Sequence, residues 1–395
     1  MKKKILFVME SLGIGGAEKS LVTILSLLDY NKYDVDLQLF NDEGEFMDLL
    51  PKEVNILPLD EKIKYFRSNF KTAWLKYLLH GQFLQSYHSF CWLVKCLIMR
   101  YLKHKEYVGW KHIKYLMDNL TYHYDVSIGF LEKKSIYYCV DKTIADRKIG
   151  FIHNDYLKIE HNIREDKKYF EKLYKIPTVS EHCKEVLIRT FSEYESKFCV
   201  IKNMVSPDII RKMSKEDVGF IKEKDIKYLC TVGRLVEQKG IDIAIKVCKR
   251  VIDSGYKIKW FVCGEGSERN RLERLIKSYN LENTFILLGG QTNPYKYMEF
   301  CDVYVQPSRY EGYGITVAEA KSLCKPIVAS AIPEFKEQII NEKTGLLYNN
   351  EDELYEDILK LIKVKELSDF LSTNLMNKYD NINRSELKKI EDLLN

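Results

Sequence analysis

Short apolar runs that end near glycine and lead into helical stretches recur along this chain of 395 residues. Ile5–Met9 is uniformly apolar, which is typical of a parallel strand buried on both faces. Gly13, Gly15 and Gly16 follow it, and Ala17–Leu28 then carries apolar residues at helical spacing. This order of strand, glycine turn and helix predicts a parallel, doubly wound α/β sheet.

The second half of the chain repeats the order. Its apolar runs are Tyr228–Val232 before Gly233, Ile258–Cys263 before Gly264, and Thr284–Leu288 before Gly289. Between the halves, a short strand at Cys199–Ile201 gives way to Asn203 and Pro207, where we place the boundary. The predicted organisation is a Rossmann-like domain over 1–202 and a second over 203–375. Ligands of such sheets bind beyond the carboxyl ends of the strands, so a site is expected in a cleft between two facing halves.

Composition restricts the class of protein. Apolar residues make up 46% of the chain and charged residues 30%, which excludes disordered, collagen-like and fibrous chains. The formal net charge of +5 is too small to indicate nucleic acid as a partner. The ten cysteines form no C-x-x-C pair, and several lie in apolar runs, which favours buried reduced thiols in the cytosol. A composition rich in Lys, Ile, Asn and Tyr is typical of a bacterial, AT-rich source.

Neither a signal peptide nor a membrane span is predicted. The apolar run that follows Lys2–Lys4 ends after five residues, at Glu10, which is shorter than the apolar region of a signal peptide. Tyr77–Val94 is uncharged but contains too many polar residues to span a bilayer. We therefore expect the protein in the cytoplasm.

Residues 61–115 differ from the rest of the chain in charge. They hold eleven Lys or Arg against two Asp or Glu, with thirteen aromatic residues, and predict a helical insertion over about 61–120. Cations beside aromatics suit an anionic lipid surface, so we expect peripheral contact with the inner face of the plasma membrane. This prediction rests on Lys62, Lys64, Arg67, Lys71 and Lys76, interleaved with Tyr65, Phe66, Phe70, Trp74 and Tyr77. The alternative is an insertion that packs its aromatic residues on the first domain. No nucleic-acid motif accompanies this segment.

Two glutamates bracket a loop with two glycines in R-Y-E-G-Y-G-I-T-V-A-E, residues 309–319. Glu311 falls in the loop after a predicted strand, and Glu319 falls about one turn into the following helix. Backbone N–H groups of the loop and of the helix N-terminus suit a diphosphate. Glu319 is placed to accept hydrogen bonds from two vicinal hydroxyls of a ribose. The alternative is a strand–loop–helix corner whose glutamates are solvated.

Two cations, Arg234 and Lys239, leave one strand end together in G-R-L-V-E-Q-K-G. They can neutralise the charge that develops on a departing diphosphate, and the alternative is a solvated basic turn. In the first half, His153 ends a predicted strand in I-H-N. Its two readings are a hydrogen bond to a sugar hydroxyl and a histidine satisfied locally at a strand end.

No metal site is expected. The D-x-D match at Asp34 and Asp36 leads directly into a predicted strand, where both carboxylates would share one face. Histidines 80, 88, 104 and 112 do not have the spacing of metal ligands, and a solvated helical surface explains them better.

The order of these motifs resembles one enzyme family. The motifs are G-I-G-G-A-E at 13–18, I-H-N at 152–154, V-S-E at 179–181, I-K-N at 201–203, G-R-L-V-E-Q-K-G at 233–240, G-E-G-S-E-R at 264–269, N-P-Y-K-Y-M at 293–298 and S-R-Y-E-G-Y-G at 308–314. Together with Glu319 they resemble the family 4 glycosyltransferases. These are retaining enzymes of the GT-B fold, with two Rossmann-like domains facing across a cleft. The resemblance covers nearly the whole chain except about 61–120.

The resemblance implies roles for individual residues. The cations would hold the donor diphosphate, Glu319 the ribose and Glu311 the donor sugar, while His153 would lie near the reacting carbon. The implied catalytic residues are His153, Arg234, Lys239 and Glu311. The implied nucleotide-sugar-binding residues are Gly15, Gly16, Gly233, Arg234, Lys239, Gly264, Leu287, Glu311, Tyr313, Gly314, Ile315, Thr316 and Glu319. The resemblance further implies that a terminal helix over 376–395 packs back on the first domain. We expect the reaction to need no metal or other cofactor.

The function implied is transfer of a hexosyl or N-acetylhexosaminyl unit from a UDP-sugar, with retention, to a glycan or lipid-linked acceptor in bacterial surface polysaccharide synthesis. Two alternatives stay open. A nicotinamide-dependent dehydrogenase would use the first glycine turn, although residues 13–16 lack the G-x-G-x-x-G spacing. A non-catalytic sugar-nucleotide-binding subunit of a transferase pair is the other, and the intact cations and glutamates argue against it.

Overall fold

The computed structural model describes residues 2–69, 71–102, 109–376 and 380–395. The chain divides into two compact units. The first comprises Met1–Lys202 with Leu387–Asn395, and the second comprises Asn203–Glu386. Each unit is a parallel sheet with helices in the connections between strands, as the alternation of apolar runs and helical stretches predicts.

The first unit is built on a five-stranded parallel sheet in the order β3-β2-β1-β4-β5. Its strands are β1 Lys3–Met9, β2 Tyr33–Leu39, β3 Asn55–Ile56, β4 His123–Gly129, β5 Ile144–Gly150, β6 Ile176–Thr178 and β7 Phe198–Val200. Its helices are α1 Gly16–Leu27, α2 Glu61–Ser68, α3 Ala73–Leu79, α4 Phe83–Leu102, α5 Trp110–Ile113, α6 Lys134–Lys142, α7 Ile163–Phe170 and α8 Glu181–Thr190. The parallel pair β6–β7 adjoins β5 through the isolated bridges Ile149–Lys175 and Ile152–Thr178.

Local sequence explains these elements. Ile5–Met9 in β1 are fully buried because β1 lies between β2 and β4 and is covered on both faces, which only an apolar run tolerates. The hydroxyl of Ser180 accepts a hydrogen bond from the backbone N–H of Cys183 and so caps α8. At the end of β4, a Cβ on Gly129 would lie 2.6 Å from the Cα of Ile136. Glycine is therefore needed where α6 packs on the end of this strand.

The second unit is built on a six-stranded parallel sheet in the order β10-β9-β8-β11-β12-β13. Its strands are β8 Lys227–Val232, β9 Ile258–Cys263, β10 Phe285–Gly289, β11 Val303–Gln306, β12 Ile327–Ser330 and β13 Leu346–Tyr348. Its helices are α9 Pro207–Met213, α10 Ile241–Asp253, α11 Arg269–Ser278, α12 Tyr295–Phe300, α13 Ile315–Ser322, α14 Pro333–Lys336, α15 Glu351–Lys363 and α16 Lys365–Met376. Strand order reverses between β8 and β11, and the crevice at such a reversal is where doubly wound sheets bind ligands.

The final helix, α17 Asp380–Leu394, contributes its last residues to the first unit. Lys3 Nζ donates to the carbonyl oxygens of Leu394, at 3.1 Å, and of Asn395, at 2.9 Å. Arg147 donates to the same Asn395 oxygen at 3.1 Å. The chain end is therefore tied to β1 and β5.

Several residues of the basic insertion that were expected to face a membrane instead contact the rest of the first unit. Phe66 and Tyr77 are buried in the core. Lys62 Nζ lies 2.9 Å from both carboxylate oxygens of Asp118, Lys64 pairs with Asp42, and Arg67 donates to the carbonyl of Phe40. The surface expected from the sequence is therefore wrong for the two buried aromatic residues, Phe66 and Tyr77. The three cations have partners in the protein, although Lys64 and Arg67 stay exposed. Phe70 lies outside the described residues. Among the helices that the structure describes, none is both long and apolar enough to cross a membrane.

Candidate functional site

The loops after β8, β9 and β10 meet through their backbones at glycine. A Cβ on Gly264 would lie 1.9 Å from the carbonyl oxygen of Gly233, so a side chain at this position would clash with main chain. Gly264 N donates to the oxygen of Gly289 at 2.7 Å, and Leu235 N donates to the oxygen of Glu265 at 2.9 Å. These contacts hold the loop that carries Arg234 against its neighbours.

The loop from Arg234 to Gly240 also docks on the loop after β11. Gly240 has a left-handed backbone, with φ of 64°, and a Cβ there would lie 1.9 Å from the carbonyl oxygen of Pro307. Arg309 N donates to the oxygen of Gln238 at 2.8 Å. Two segments that are about 70 residues apart in sequence are thereby fixed side by side at the carboxyl edge of the sheet.

This docking forms a buried ion pair between Lys239 and Glu311. Lys239 Nζ lies 2.6 Å and 2.8 Å from the two carboxylate oxygens, and the side chains are only 13% and 5% exposed. The hydroxyl of Ser308 donates to the same carboxylate at 2.7 Å. A buried charge pair stabilises a fold only when its partners and hydrogen bonds are complete, so this arrangement depends on all three residues. The structure thus brings together two of the residues that the sequence assigns to catalysis.

A chain of polar side chains extends from Glu311 to the start of α13. Gln306 Nε2 donates to the hydroxyl of Ser308 at 2.9 Å, and Gln306 Oε1 accepts from Tyr304 at 2.6 Å and from Thr316 at 3.1 Å. Gln306 and Ser308 are buried. Reasoning from the sequence missed both residues. The signal that could have indicated Gln306 is the presence of a glutamine at the end of an otherwise apolar strand.

Glu319 is buried on α13 and is held by a tyrosine. The hydroxyl of Tyr295 donates to Glu319 Oε1 at 2.8 Å. Burial, followed by the nearby Glu319 charge, raises the pKa of Tyr295 well above its usual value, so this phenol remains a donor at neutral pH. Tyr295 lies in the N-P-Y segment, and its contact with Glu319 could not be deduced from spacing.

The remaining predicted residues of the second unit lie at the same edge. Arg234 is exposed at the loop that follows β8, and Leu287 is half-buried near the end of β10. Tyr313 and Ile315 are buried, and Gly314, with φ of 77°, is the N-cap of α13.

In the first unit, His153 follows β5 and is buried between aromatic rings. Its imidazole centroid lies 4.8 Å from that of Phe130 and 5.7 Å from that of Phe151. The carboxylate of Glu132 accepts from the backbone N–H of His153 at 3.0 Å and from the Nδ2 of Asn154 at 2.6 Å. Glu132 was missed from the sequence, and it joins the ends of β4 and β5. Gly15 and Gly16 lie at the N-terminus of α1, with Gly15 as its N-cap.

The two aspartates of the D-x-D match are used locally. Asp36 Oδ1 accepts from Asn55 at 2.7 Å and Asp36 Oδ2 accepts from Tyr124 at 2.6 Å. Asp34 lies 3.8 Å from Lys4 across the sheet. Within the described parts of the chain, no group of three or more His, Cys, Asp or Glu is arranged to hold a metal ion.

Residues 214–377 match a family model described as glycosyl transferases group 1. The chain is 30% identical over 171 residues to a poly(ribitol-phosphate) alpha-N-acetylglucosaminyltransferase of Staphylococcus aureus, which covers 42% of this chain and 34% of the relative. It is 26% identical to the Campylobacter jejuni N-acetylgalactosamine-N,N'-diacetylbacillosaminyl-diphospho-undecaprenol 4-alpha-N-acetylgalactosaminyltransferase, over 90% and 89% of the two chains. Three relatives are matched over only 41%, 34% and 53% of their own length.

The fold extends the likeness to the whole chain. The structure of HepE from Anabaena in complex with UDP and glucose superposes with a TM-score of 0.68 and 18% identity, over 99% of both chains. At this identity the likeness concerns the fold alone. The predicted fold class, an α/β protein of GT-B type with two Rossmann-like parallel-sheet domains, is thereby confirmed. The family resemblance is confirmed at the coarser level of a match to glycosyltransferases.

Replacing Tyr295 with Phe should lower the Tm of the second unit by several degrees. The change removes a hydrogen bond to a buried carboxylate, which contributes about 1.5–3 kcal/mol, and each kcal/mol shifts Tm by about 2–4 °C in a domain of this size. Tyr297→Phe, on the same helix, leaves the Glu319 contact intact and is the matched control in differential scanning calorimetry. Equal shifts for the two variants would contradict the importance of this contact.

Proposed function

We propose that this chain is a retaining glycosyltransferase of family 4 that transfers a hexosyl or N-acetylhexosaminyl unit from a UDP-sugar without a metal ion. The acceptor is a glycan or lipid-linked glycan in bacterial surface polysaccharide synthesis, reached at the inner face of the plasma membrane. The observation that carries the proposal is the buried Lys239–Glu311 pair beside Glu319 and the exposed Arg234, all at one edge of the second unit's sheet.

The cations of this edge suit the donor diphosphate. Arg234 offers a planar fork of donors to phosphate oxygens, and Lys239 offers a compact charge next to it. The N-terminus of α13 adds backbone N–H groups and the positive end of its dipole. These groups stabilise the negative charge that grows on the diphosphate as the bond to the sugar breaks.

The ion pair supports distinct roles for its two members. When a diphosphate binds, Lys239 exchanges part of its contact with Glu311 for phosphate oxygens. Ser308 still donates to Glu311, so the carboxylate keeps its position and accepts hydrogen bonds from the sugar hydroxyls. Gln306 donates to Ser308 in turn, and Thr316 donates to Gln306. Glu319, fixed by Tyr295, accepts from the ribose hydroxyls.

Retention is supported by the products named for the relatives. The S. aureus and C. jejuni relatives bear names of alpha-transferases. UDP-hexose donors usually carry an α-linked sugar, so an α-product keeps the configuration. In the proposed step, the bond from the anomeric carbon to the diphosphate breaks and the bond to the acceptor oxygen forms on the same face. The acceptor proton passes to the departing phosphate oxygen, and Glu311 forms no covalent bond.

The relatives also support a polyanionic or lipid-linked acceptor. One is named for poly(ribitol-phosphate) and the other for a diphospho-undecaprenol glycan. In the first unit, we assign His153 to a hydroxyl of the reacting sugars, with Glu132 positioning the segment that carries it. The comparisons do not favour the alternative of a nicotinamide-dependent dehydrogenase.

A ligand panel tests the donor class. UDP should raise the Tm of the purified chain more than GDP, ADP or NAD, because only a ligand that binds the folded state stabilises it. The UDP shift, and hydrolysis of UDP-sugars by the single chain, should be unchanged by excess EDTA, since Arg234 and Lys239 neutralise the diphosphate. Loss of turnover on chelation, restored by Mn²⁺ or Mg²⁺, would refute the metal-free mechanism. A shift with NAD alone would refute the transferase.

The two cations should be needed for turnover. Arg234→Ala and Lys239→Ala should each lower kcat by about 10²-fold, the scale seen when one charge-stabilising donor is removed. Lys246→Ala removes a comparable but exposed Lys–Glu pair, with Glu351, and is the matched control for kcat. Because Lys239→Ala leaves Glu311 buried without its ion-pair partner, kcat is measured well below the Tm of each variant. Full activity of Arg234→Ala would contradict its role.

The two glutamates should fail differently. Glu319→Gln keeps an acceptor for Tyr295 but removes the charge offered to the ribose, so the Kd for UDP should rise about tenfold or more. The preference for UDP over 2′-deoxy-UDP should shrink in the same variant. Glu311→Gln should lower kcat without weakening UDP binding, because it releases Lys239 to the diphosphate. Calorimetric titration separates the two, and an equal loss of UDP affinity would contradict the assignment.

A further inference from the structure

Helix α4 exposes an apolar stripe along one side. The stripe consists of Phe83, Tyr87, Phe90, Val94 and Leu97, at intervals of four, three, four and three residues, which place them on one helical face. Their exposed fractions run from 37% for Val94 to 70% for Phe83. At about 1.5 Å per residue the stripe is about 21 Å long. Leu84 and Ile98, also exposed, widen it.

The opposite side of α4 shows that this exposure is not a by-product of a uniformly apolar helix. The side facing the protein carries two serines, Ser86 and Ser89, which are both buried. Ser86 donates to the carbonyl of Trp74 at 2.7 Å and so anchors α4 to α3. Trp92 also faces inward, and its ring packs edge-on against Phe66 with the centroids 5.0 Å apart, so α4 is attached to the protein along this side while the stripe stays outward.

The neighbouring helix continues the apolar surface. Helix α3 exposes Leu75, Leu78 and Leu79, and Leu79 is 76% exposed just before the turn into α4. The ring of Trp74 packs edge-on against Phe90, with centroids 5.5 Å apart. Large contiguous apolar surfaces of this kind mark sites of contact with a partner or a membrane.

Charge selects the partner. Between Lys62 and Lys105 the sequence contains no Asp or Glu, and Lys71, Lys76 and Lys95 lie on or beside the two helices. A second copy of the chain would bring two such cationic surfaces together, which is unfavourable. An anionic bilayer accepts apolar side chains among its acyl chains and cations among its headgroups.

We propose that the α3–α4 hairpin is the membrane-docking element of this protein and that α4 lies in the surface of an anionic bilayer, with its stripe inserted. This surface keeps Lys71 and Lys76 of the one expected from the sequence. Lys62, Lys64 and Arg67, which were also expected there, bind the protein itself. The inference rests on the proposed function, because docking on a membrane would bring the chain to a lipid-linked acceptor. Its test measures lipid binding alone.

Vesicle co-sedimentation of the full chain tests the proposal. The chain should bind vesicles of phosphatidylcholine with about 30% phosphatidylglycerol, and binding should fall as salt rises because the headgroup attraction is screened. A triple variant in which Leu79, Phe83 and Leu97 are each replaced by Ser should bind vesicles at least tenfold more weakly, because it loses the free energy of transferring these side chains into the bilayer. The matched control replaces three equally exposed apolar residues elsewhere, Ile144, Ile221 and Met376, with Ser, and should bind like the natural chain. Lys76→Gln with Lys95→Gln should weaken binding about fivefold per residue.

The outcomes separate this proposal from the proposed function. The variant with Ser in place of Leu79, Phe83 and Leu97, called the stripe variant, changes only exposed residues. It should therefore keep its Tm and its stabilisation by UDP in the second unit. Unchanged vesicle binding by that variant would overturn the proposal, as would equal binding to pure phosphatidylcholine. If the natural chain is a dimer that the stripe variant converts to a monomer while vesicle binding persists, the stripe is a self-association surface and the proposal is wrong. A failure to bind UDP would count against the transferase alone.

Discussion

Close contact between backbones at glycine is the constraint on which the candidate site depends. Gly264 allows the loop after β9 to lie against the loop after β8, and Gly240 allows that second loop to reach the main chain of Pro307. Each position has a carbonyl oxygen where a Cβ would stand, about 1.9 Å away. Without these approaches, the two loops that carry Lys239 and Glu311 would not lie side by side. With them, two opposite charges are buried together and hold each other's geometry.

Much of the fold is predictable from the sequence because parallel strands that are buried on both faces must be continuous apolar runs. Ile258–Cys263 has the same bounds in the prediction and in the structure, since an apolar run that ends at glycine leaves little choice. Helices were harder to predict than these buried strands. The helices over Lys134–Lys142 and Glu351–Lys363 were not predicted. The first holds an unbroken apolar run, residues 136–140, which suits a strand as well as a helix, and the helical spacing of Leu354, Ile358 and Leu361 in the second was missed.

The sequence indicated charged residues and glycines of the candidate site, but few of the side chains that hold them in place. Lys239, Glu311 and Glu319 can be recognised by their charge and by their position after the end of a strand. Their supporting residues do not, because a hydrogen bond depends on three-dimensional position. In the sequence, Ser308, Tyr295 and Glu132 resemble any other polar residue, and only the folded chain brings them to a partner. In the basic insertion the same difficulty acted in reverse. Lys62 and Lys64, which suggested a surface, are bound to Asp118 and Asp42, and the large exposed apolar residues lie on α3 and α4.

The outward apolar face of α4 has a consequence for how this chain behaves in a test tube. Two forces of opposite sign act between copies of the protein: contact between the stripes draws them together, and the cations of the same segment push them apart. Electrolyte weakens the second force over a distance of about 8–10 Å at 0.1–0.15 M, while leaving the first intact. Colloidal stability therefore decreases as buffer concentration rises, opposite to the behaviour of proteins that salt keeps dispersed. Detergent or lipid, rather than salt, is the condition under which the dispersed chain is favoured.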